Sequence, residues 1–347
     1  MEKVKEELEY IARKVKKTTL LMLADANFGI HKRDIEIAKF MKEIRDKTNY
    51  PRKFQINWAK NSNHRINQIN DPYLTIENLA YLLNYDSIYG KFSHKVKIKN
   101  NYLIAGYKKI LFTKDKDLLK KEIKKINLII DSSGLKKNHN LLKKRNQKSI
   151  ITHTYEKSDI QIIYGINEKS YNKKKHKIIS SSICDAVAIG TIINLLHSNF
   201  NIINGSITTL HPWLSYQNLM DGPSRSYAYP GKFIENFALG RASTETLIPK
   251  STSCVDALIE SMPSIKNKFI SMSVRVPTQI VSSAIINLNF ESEINNSMIL
   301  RKINNFINKQ KTNIISLNKD QCVSKDFIAN EYSCIIAERW LETKNKS

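Results

Sequence analysis

The sequence predicts an α/β protein in two parts: a first half built on a parallel sheet, then an α+β second half with an antiparallel sheet. Three observations predict it. Up to about residue 178, short apolar runs alternate with helical periodicities, as strand–helix repeats do. Beyond that point long apolar strands and helices follow one another without the strict alternation. The 347 residues suit two domains of roughly 100–200 residues each. At 41% hydrophobic and 9% aromatic the chain can build cores, which excludes wholesale disorder.

The elements follow in order. Residues 2–17 read as a charged helix, and TTLLMLAD (18–25) as a short strand ending at Asp25. Residues 33–47 place Ile35, Ile37, Ala38, Met41 and Ile44 at helical spacing, and Pro51 stops the helix. FQINWAK (54–60) and RINQIND (65–71) read as strands, and residues 73–85 as an amphipathic helix. YLIAGYKKILFT (102–113) is two strands around a turn at Ala105-Gly106. INLIIDSSG (126–134), SIITHT (149–154) and IQIIYGIN (160–167) complete the first-half strands.

In the second half, the segment from Ile178 begins as a strand and becomes an apolar helix near Cys184. INGSITTLH (203–211) is a strand, and residues 212–240 form a polar connection too long to be routine. Residues 269–278 and 282–290 are strands, and 298–310 a helix. No internal repeat is present.

The formal charge of +24 looks like a nucleic-acid signal until it is mapped. Residues 1–177 carry 40 Lys and Arg against 19 Asp and Glu, whereas residues 178–300 carry 7 against 8. The excess is mostly lysine, 45 Lys to 11 Arg, and it is mixed with Asn and Ile. Arginine is the usual fork for phosphates and base edges. The charge therefore reads as a lysine-rich surface, and nucleic acid is not an expected partner, although a polyanion-binding first half stays as an alternative. No apolar run reaches the roughly 18–20 residues of a membrane span, and the N-terminus has no signal-peptide core. Four scattered cysteines make no disulfide scaffold, so a cytoplasmic setting is expected.

Three residues stand out chemically. Cys184 lies where a strand turns into a helix. The unpaired N–H groups and partial positive charge of a helix N-terminus favour a thiolate, lowering the thiol from its usual ~8.5, and could steady an oxyanion. A buried, inert cysteine is the competing reading. His211 ends a strand and could be the base for that thiol, though it could equally be an ordinary core or surface histidine. Arg275 interrupts an apolar run, so it needs an anion, either a substrate phosphate or a structural carboxylate.

From about residue 66 to 335 the chain resembles phosphorylating glyceraldehyde-3-phosphate dehydrogenases and their erythrose-phosphate relatives. The resemblance rests on NDPYL (70–74), LAYLLNYDSIYGKF (79–92), DSSG (131–134), SIIT (149–152), GIN (165–167) and ISSSIC (179–184). TTLH (208–211), DGPS (221–224), GRASTETLIPKST (240–252), VRVPT (274–278) and VSKDF (323–327) continue it in order. The resemblance implies a Rossmann-like NAD(P)-binding domain over 66–183 and a catalytic domain over 184–347. It implies NAD- or NADP-dependent oxidation of an aldehyde, of sugar-phosphate type, in carbohydrate metabolism. Cys184 would be the nucleophile forming a thiohemiacetal and then a thioester, and His211 its base. Asp71 would meet the adenosine ribose, and Ser132, Ser133, Gly134 and Thr152 would line the cofactor cleft. Arg275, Thr252 and Ser251 would bind phosphate. The partners implied are a small aldehyde or sugar phosphate and further copies of the chain, a tetramer in the family. No metal is expected.

The sequence also departs from that family. No G-x-G-x-x-G occurs, and Gly29 is the only glycine before Gly90, so dinucleotide binding is expected to be weakened. Residues 18–65 resemble an internal segment of cobalamin-type radical SAM proteins, as a strand–helix–strand unit replacing the first βα unit. No cysteine precedes Cys184, so no iron–sulfur cluster is expected there. Residues 1–65 thus read as a foreign N-terminal segment. Beside the nucleophile, Ile183 and Asp185 stand where the family has serine and threonine. A carboxylate there would raise the thiol and repel phosphate. Leu214, Tyr216 and Leu239 fall on phosphate-contacting positions, and the family's terminal strand and helix after VSKDF have no counterpart. A catalytically weakened or inactive relative that retains the fold is the alternative function.

Overall fold

The computed structural model describes residues 20–24, 53–57, 66–92, 94–106, 108–116, 126–224 and 233–347. The helices expected at 2–17 and 33–47 lie outside the described residues. Strands β1 (Leu20–Ala24) and β2 (Lys53–Asn57) pair in parallel, from Leu20 opposite Lys53 to Ala24 opposite Asn57. Parallel strands need a crossover rather than a hairpin, which agrees with a strand–connection–strand unit.

The described residues divide into two compact units, one reaching to Lys116 and the other holding residues 87–89 and everything beyond. In the first unit, β3 (Gln68–Asn70) is followed by helix α1 (Ile76–Asn84). Thr75 caps α1, its hydroxyl accepting the Asn78 N–H. A small hairpin of β4 (Tyr85–Asp86) and β5 (Gly90–Lys91) comes next. Strands β6 (Val96–Lys99), β7 (Tyr102–Ala105) and β8 (Lys108–Thr113) then form an antiparallel meander, with β3 added in parallel beside β8. The β7–β8 hairpin is the one that the turn at Ala105-Gly106 predicts, and its meander stands in addition to the parallel sheet of the second unit. Two tight turns make it: Asn100 at φ 53° and Gly106 at φ 61° both sit in the left-handed region that reverses a chain. Ala80, Val96, Leu103 and Ile110 form this unit's core.

The second unit contains the parallel sheet the alternation predicts. Strands β9 (Leu128–Asp131), β10 (Lys148–Ile151), β11 (Ile160–Gln161) and β12 (Ile178–Ser180) stand in the order β11-β12-β10-β9, all parallel. Helix α2 (Lys136–Lys143) lies in the crossover from β9 to β10. The strand expected over 160–167 stops at Gln161. The Asn167 side chain accepts the Ile163 N–H and donates to the Gln161 carbonyl, and Glu168 accepts the Gly165 N–H. These side chains take over the backbone groups that a longer strand would have paired.

Helix α3 (Cys184–Phe200) leads to the 11-residue strand β13 (Ile202–Pro212). With β14 (Ile248–Lys250), β15 (Phe269–Val276) and β16 (Ser283–Phe290) it forms a sheet in the order β14-β15-β13-β16. Only the β13–β15 pairing is parallel. Helices α3, α4 (Cys254–Ser261) and α5 (Asn296–Lys309) cover one face. Ala186, Ile189, Ile193 and Leu196 recur at helical spacing on the buried side of α3. At Gly190 a Cβ would come within 2.8 Å of Ile166 and Leu258 side-chain carbons, so glycine lets α3 approach α4 closely. A last parallel pair joins β17 (Ile315–Asn318) and β18 (Cys334–Ala337). The architecture is α/β: a Rossmann-type parallel sheet and an α+β part whose sheet is mostly antiparallel. Among the described residues, no helix is long and apolar enough to cross a membrane.

Ile193 is fully buried between α3 and the sheet. Its replacement by alanine deletes three buried carbons, and Ile193→Ala should lower unfolding stability by about 2–5 kcal/mol. Chemical denaturation should show an earlier midpoint with an unchanged slope.

Candidate active site

Between β12 and α3 the backbone makes a strained turn. Ser182 is buried at φ 63°, a left-handed conformation costly for a non-glycine residue, on the order of 1–3 kcal/mol. Its N–H donates to Ser180 Oγ (3.1 Å), whose hydroxyl donates to the His153 carbonyl (2.7 Å). The turn delivers Cys184 as the first residue of α3.

His211 meets it from β13, with Nε2 3.5 Å from Cys184 Sγ. Its Nδ1 lies 2.7 Å from the Pro212 carbonyl oxygen. A carbonyl only accepts, so Nδ1 carries the hydrogen and Nε2 presents its lone pair to the thiol. Burial lowers the histidine's pKa, and Arg275 adds to that, while the Pro212 bond and Asp185 act the other way. A neutral imidazole at neutral pH can accept a proton.

Cys184 departs from expectation. Its thiol is raised, first by burial and next by the Asp185 carboxylate, whose Oδ1 lies 3.8 Å from Sγ. The Asp185 N–H at the helix start and the Arg275 charge pull downward and are outweighed. Part of the cysteine is open to solvent, so the burial concerns the side of the thiol set among these groups. Asp185 itself is buried.

Arg275 stands opposite His211 in the β13–β15 register and is 5% exposed. Its Nη1 donates to the Pro212 carbonyl at 3.4 Å, and its Nε is buried with no hydrogen-bond partner. A buried guanidinium so poorly paired has an N–H donor to offer a negatively charged group. Two participants were not singled out from the sequence. Lys250 ends β14; burial and Arg275 lower its pKa, while Asp185 and Cys184 raise it, which places it in the same cluster. Ser182 shapes the turn, and only its backbone reveals that. Cys254, at the start of α4, is pushed up to about 12 by burial, then by Asp185 and Cys184, and is inert. Thr252 precedes it and accepts the Cys254 N–H at 3.2 Å, while Ser251 beside it is exposed.

The residues assigned to the cofactor lie in both units. Ser132, Ser133, Gly134 and Thr152 gather at the C-terminal ends of β9 and β10, where parallel sheets bind nucleotides. Ser132 and Thr152 are exposed, and Gly134 has φ 68°. Ser133 is committed locally: its hydroxyl donates to Asp131 (2.6 Å) and accepts from Leu135 N and Asn138 Nδ2. Asp131 Oδ2 is buried there without a partner. In the first unit, Asp71 follows β3, and its Oδ1 accepts the N–H groups of Tyr73 and Leu74.

Because Asp185 raises the thiol, alkylation of Cys184 should be slow at neutral pH and rise as pH passes the ordinary thiol range. Asp185→Asn should shift that profile to lower pH, read by iodoacetamide labelling and mass spectrometry of the Cys184 peptide. An unshifted profile would exclude the carboxylate as a cause.

A family model described as "Glyceraldehyde 3-phosphate dehydrogenase, NAD binding domain" matches residues 52–139, and one described as "Glyceraldehyde 3-phosphate dehydrogenase, C-terminal domain" matches residues 183–346. Glyceraldehyde-3-phosphate dehydrogenase B of Aspergillus oryzae is 28% identical over 286 residues, covering 81% of this chain and 82% of that protein. The glyceraldehyde-3-phosphate dehydrogenase of Chlamydia pneumoniae is 28% identical, covering 80% and 81%, and that of Geobacillus stearothermophilus 27%, covering 80% and 81%. The two family models describe successive domains of one protein and together match well over half of these residues: the chain belongs to the glyceraldehyde 3-phosphate dehydrogenase family.

Proposed function

We propose that the protein oxidises a small aldehyde of sugar-phosphate type, with NAD or NADP as acceptor, through a covalent intermediate on Cys184. The observation that carries this reading is the Cys184–His211 pair at 3.5 Å with the histidine held in the proton-accepting tautomer. His211 Nε2 takes the thiol proton as Sγ adds to the aldehyde carbon, and passes it to the new alkoxide, giving a thiohemiacetal. The N–H groups at the start of α3 stand ready for that oxyanion. His211 then accepts the hydroxyl proton as the thiohemiacetal becomes a thioester. A nicotinamide dinucleotide, when bound, supplies the acceptor for the departing hydride. Inorganic phosphate or water releases the acyl group and restores the thiol.

Arg275, with its unpaired buried Nε, takes the substrate's anionic group, and Thr252 and Ser251 the attacking phosphate. The exposed residues Ser132 and Thr152 at the strand ends, with left-handed Gly134, fit one edge of a dinucleotide. Asp71 is assigned to the ribose and Ser133 to the shape of the turn. In this reading residues 66–183 form the cofactor domain and 184–347 the catalytic domain, behind a segment of separate origin that ends before residue 52, where the match to the NAD-binding family model begins. The exposed apolar row Ile203, Ile270, Met272 and Ile285 on the outer sheet face supports self-association. A cytoplasmic setting and a role in carbohydrate metabolism complete it.

A second reading, a weakened or inactive relative, is favoured by one specific observation. The sequence has no glycine-rich loop to let backbone approach a pyrophosphate. Calorimetric titration with NAD and NADP separates the two, and no heat at millimolar cofactor would leave only the second. On the first reading, glyceraldehyde 3-phosphate should drive nicotinamide reduction that Cys184→Ser abolishes. His211→Asn should slow it by about 10²–10⁴-fold. Stimulation by inorganic phosphate distinguishes phosphorolysis from hydrolysis.

A further inference from the structure

Cys184, Asp185 and His211 each offer one donor atom, and the three atoms lie within 4.8 Å of one another. This mixed set arises because a carboxylate follows the nucleophile. In a tetrahedral zinc site, bonds of ~2.3 Å to sulfur and ~2.0–2.2 Å to nitrogen or oxygen set the donors roughly 3.4–3.6 Å apart. Here Sγ lies 3.5 Å from His211 Nε2 and 3.8 Å from Asp185 Oδ1. The separations already approximate two edges of that tetrahedron.

The histidine carries a second, independent sign. Metal-bound imidazoles characteristically donate their other ring N–H to a carbonyl or carboxylate, which fixes the ring and strengthens the ligating nitrogen. His211 Nδ1 donates to the Pro212 carbonyl at 2.7 Å, leaving Nε2 as the ligating atom. We propose that Cys184, Asp185 and His211 form a three-ligand zinc site with one open coordination position.

The donor chemistry selects the metal. One thiolate, one imidazole and one carboxylate suit zinc and its probe cobalt(II), whereas magnesium and calcium take oxygen ligands. Two anionic ligands neutralise the ion's two charges, and binding releases the thiol proton to solvent. Arg275 and Lys250 stand in the same cluster, and their charges keep the affinity below that of a dedicated structural site. Zinc here occupies the sulfur and the imidazole lone pair together. Metal binding and covalent chemistry at Cys184 therefore exclude each other, making the site a reversible block on the nucleophile.

The full chain, stripped with a chelator, is titrated with zinc in competition with a chromogenic chelator. One zinc per chain is expected, and Asp185→Thr should weaken it by about 10-fold or more, since even outer-shell losses at metal sites cost about 10–100-fold. Circular dichroism checks the variant's fold, and Asp185→Asn serves where threonine is not tolerated. Cobalt(II) should give the intense visible bands of a tetrahedral thiolate site, lost on Cys184→Ser but kept on Cys322→Ser. Zinc should also protect Cys184 from iodoacetamide, and a chelator should restore labelling. Equal zinc affinity in wild type and the Asp185 variants, or unchanged labelling of Cys184 with zinc bound, would overturn the proposal. These readouts need neither nicotinamide nor aldehyde, so they stand apart from the dehydrogenase reading.

Discussion

The parallel pairing of β13 with β15 sets the register on which the site depends. It puts His211 beside Arg275, and two residues earlier Thr209 beside Ser273, whose hydroxyls hydrogen-bond at 2.9 Å in the buried layer. A one-residue slip between these strands would leave His211 and Arg275 on opposite faces of the sheet. The Pro212 carbonyl then serves both side chains, accepting from His211 Nδ1 and from Arg275 Nη1. Beneath the same strand, Ile202 and Ile207 share a core with Ala186, Ile189 and Ile193 of α3. Packing β13 against α3 is therefore also what brings histidine to cysteine.

Within that frame the thiol's charge state is a contest of magnitudes. A helix N-terminus contributes about 0.3–1 kcal/mol toward an anion at a surface, up to ~2 kcal/mol when partly buried. A full carboxylate charge about 4 Å away opposes it by about 4 kcal/mol at an effective dielectric near 20. Desolvation adds to the carboxylate. The direction found for Cys184, upward, is the one these sizes dictate. Arg275 restores some of the loss, and its own unpaired Nε leaves it available to a ligand's negative charge.

Much of this was legible in the sequence. The strand-to-helix change at Cys184, the strand ending at His211 and the odd arginine at 275 are local signals with strong physical warrants, and the sheet unites them. The hairpin at Gly106 and the strand of residues 203–211, which the structure extends by one residue at each end, were equally plain. What stayed hidden depends on side chains reclaiming backbone groups or on distant register. Asn167 and Glu168 shorten a strand that its apolar run predicts as longer. The left-handed turn at Ser182 has no glycine to announce it. Lys250 joins the cluster through the pairing of β14 with β15, which no local pattern encodes. The sign of the Cys184 shift was misjudged where the helix was considered alone. The sequence already held the correction, in Asp185.

That aspartate links the two chemistries open to the site. With a hydroxyl at position 185, the thiol would face a histidine and a helix N-terminus, and both favour nucleophilic sulfur. A carboxylate makes the thiol harder to ionise unless a positive charge arrives to offset it. Two kinds of positive charge can do so. A protonated His211 forms as the thiol gives up its proton, which is the nucleophilic path. A divalent cation displaces the proton outright, and Asp185 then changes from an obstacle into a ligand. The same 3.8 Å contact that holds the thiol back from reaction brings the third donor within reach of a metal. The residue at 185 thus sets how the cysteine becomes an anion, and with it which partner the anion meets.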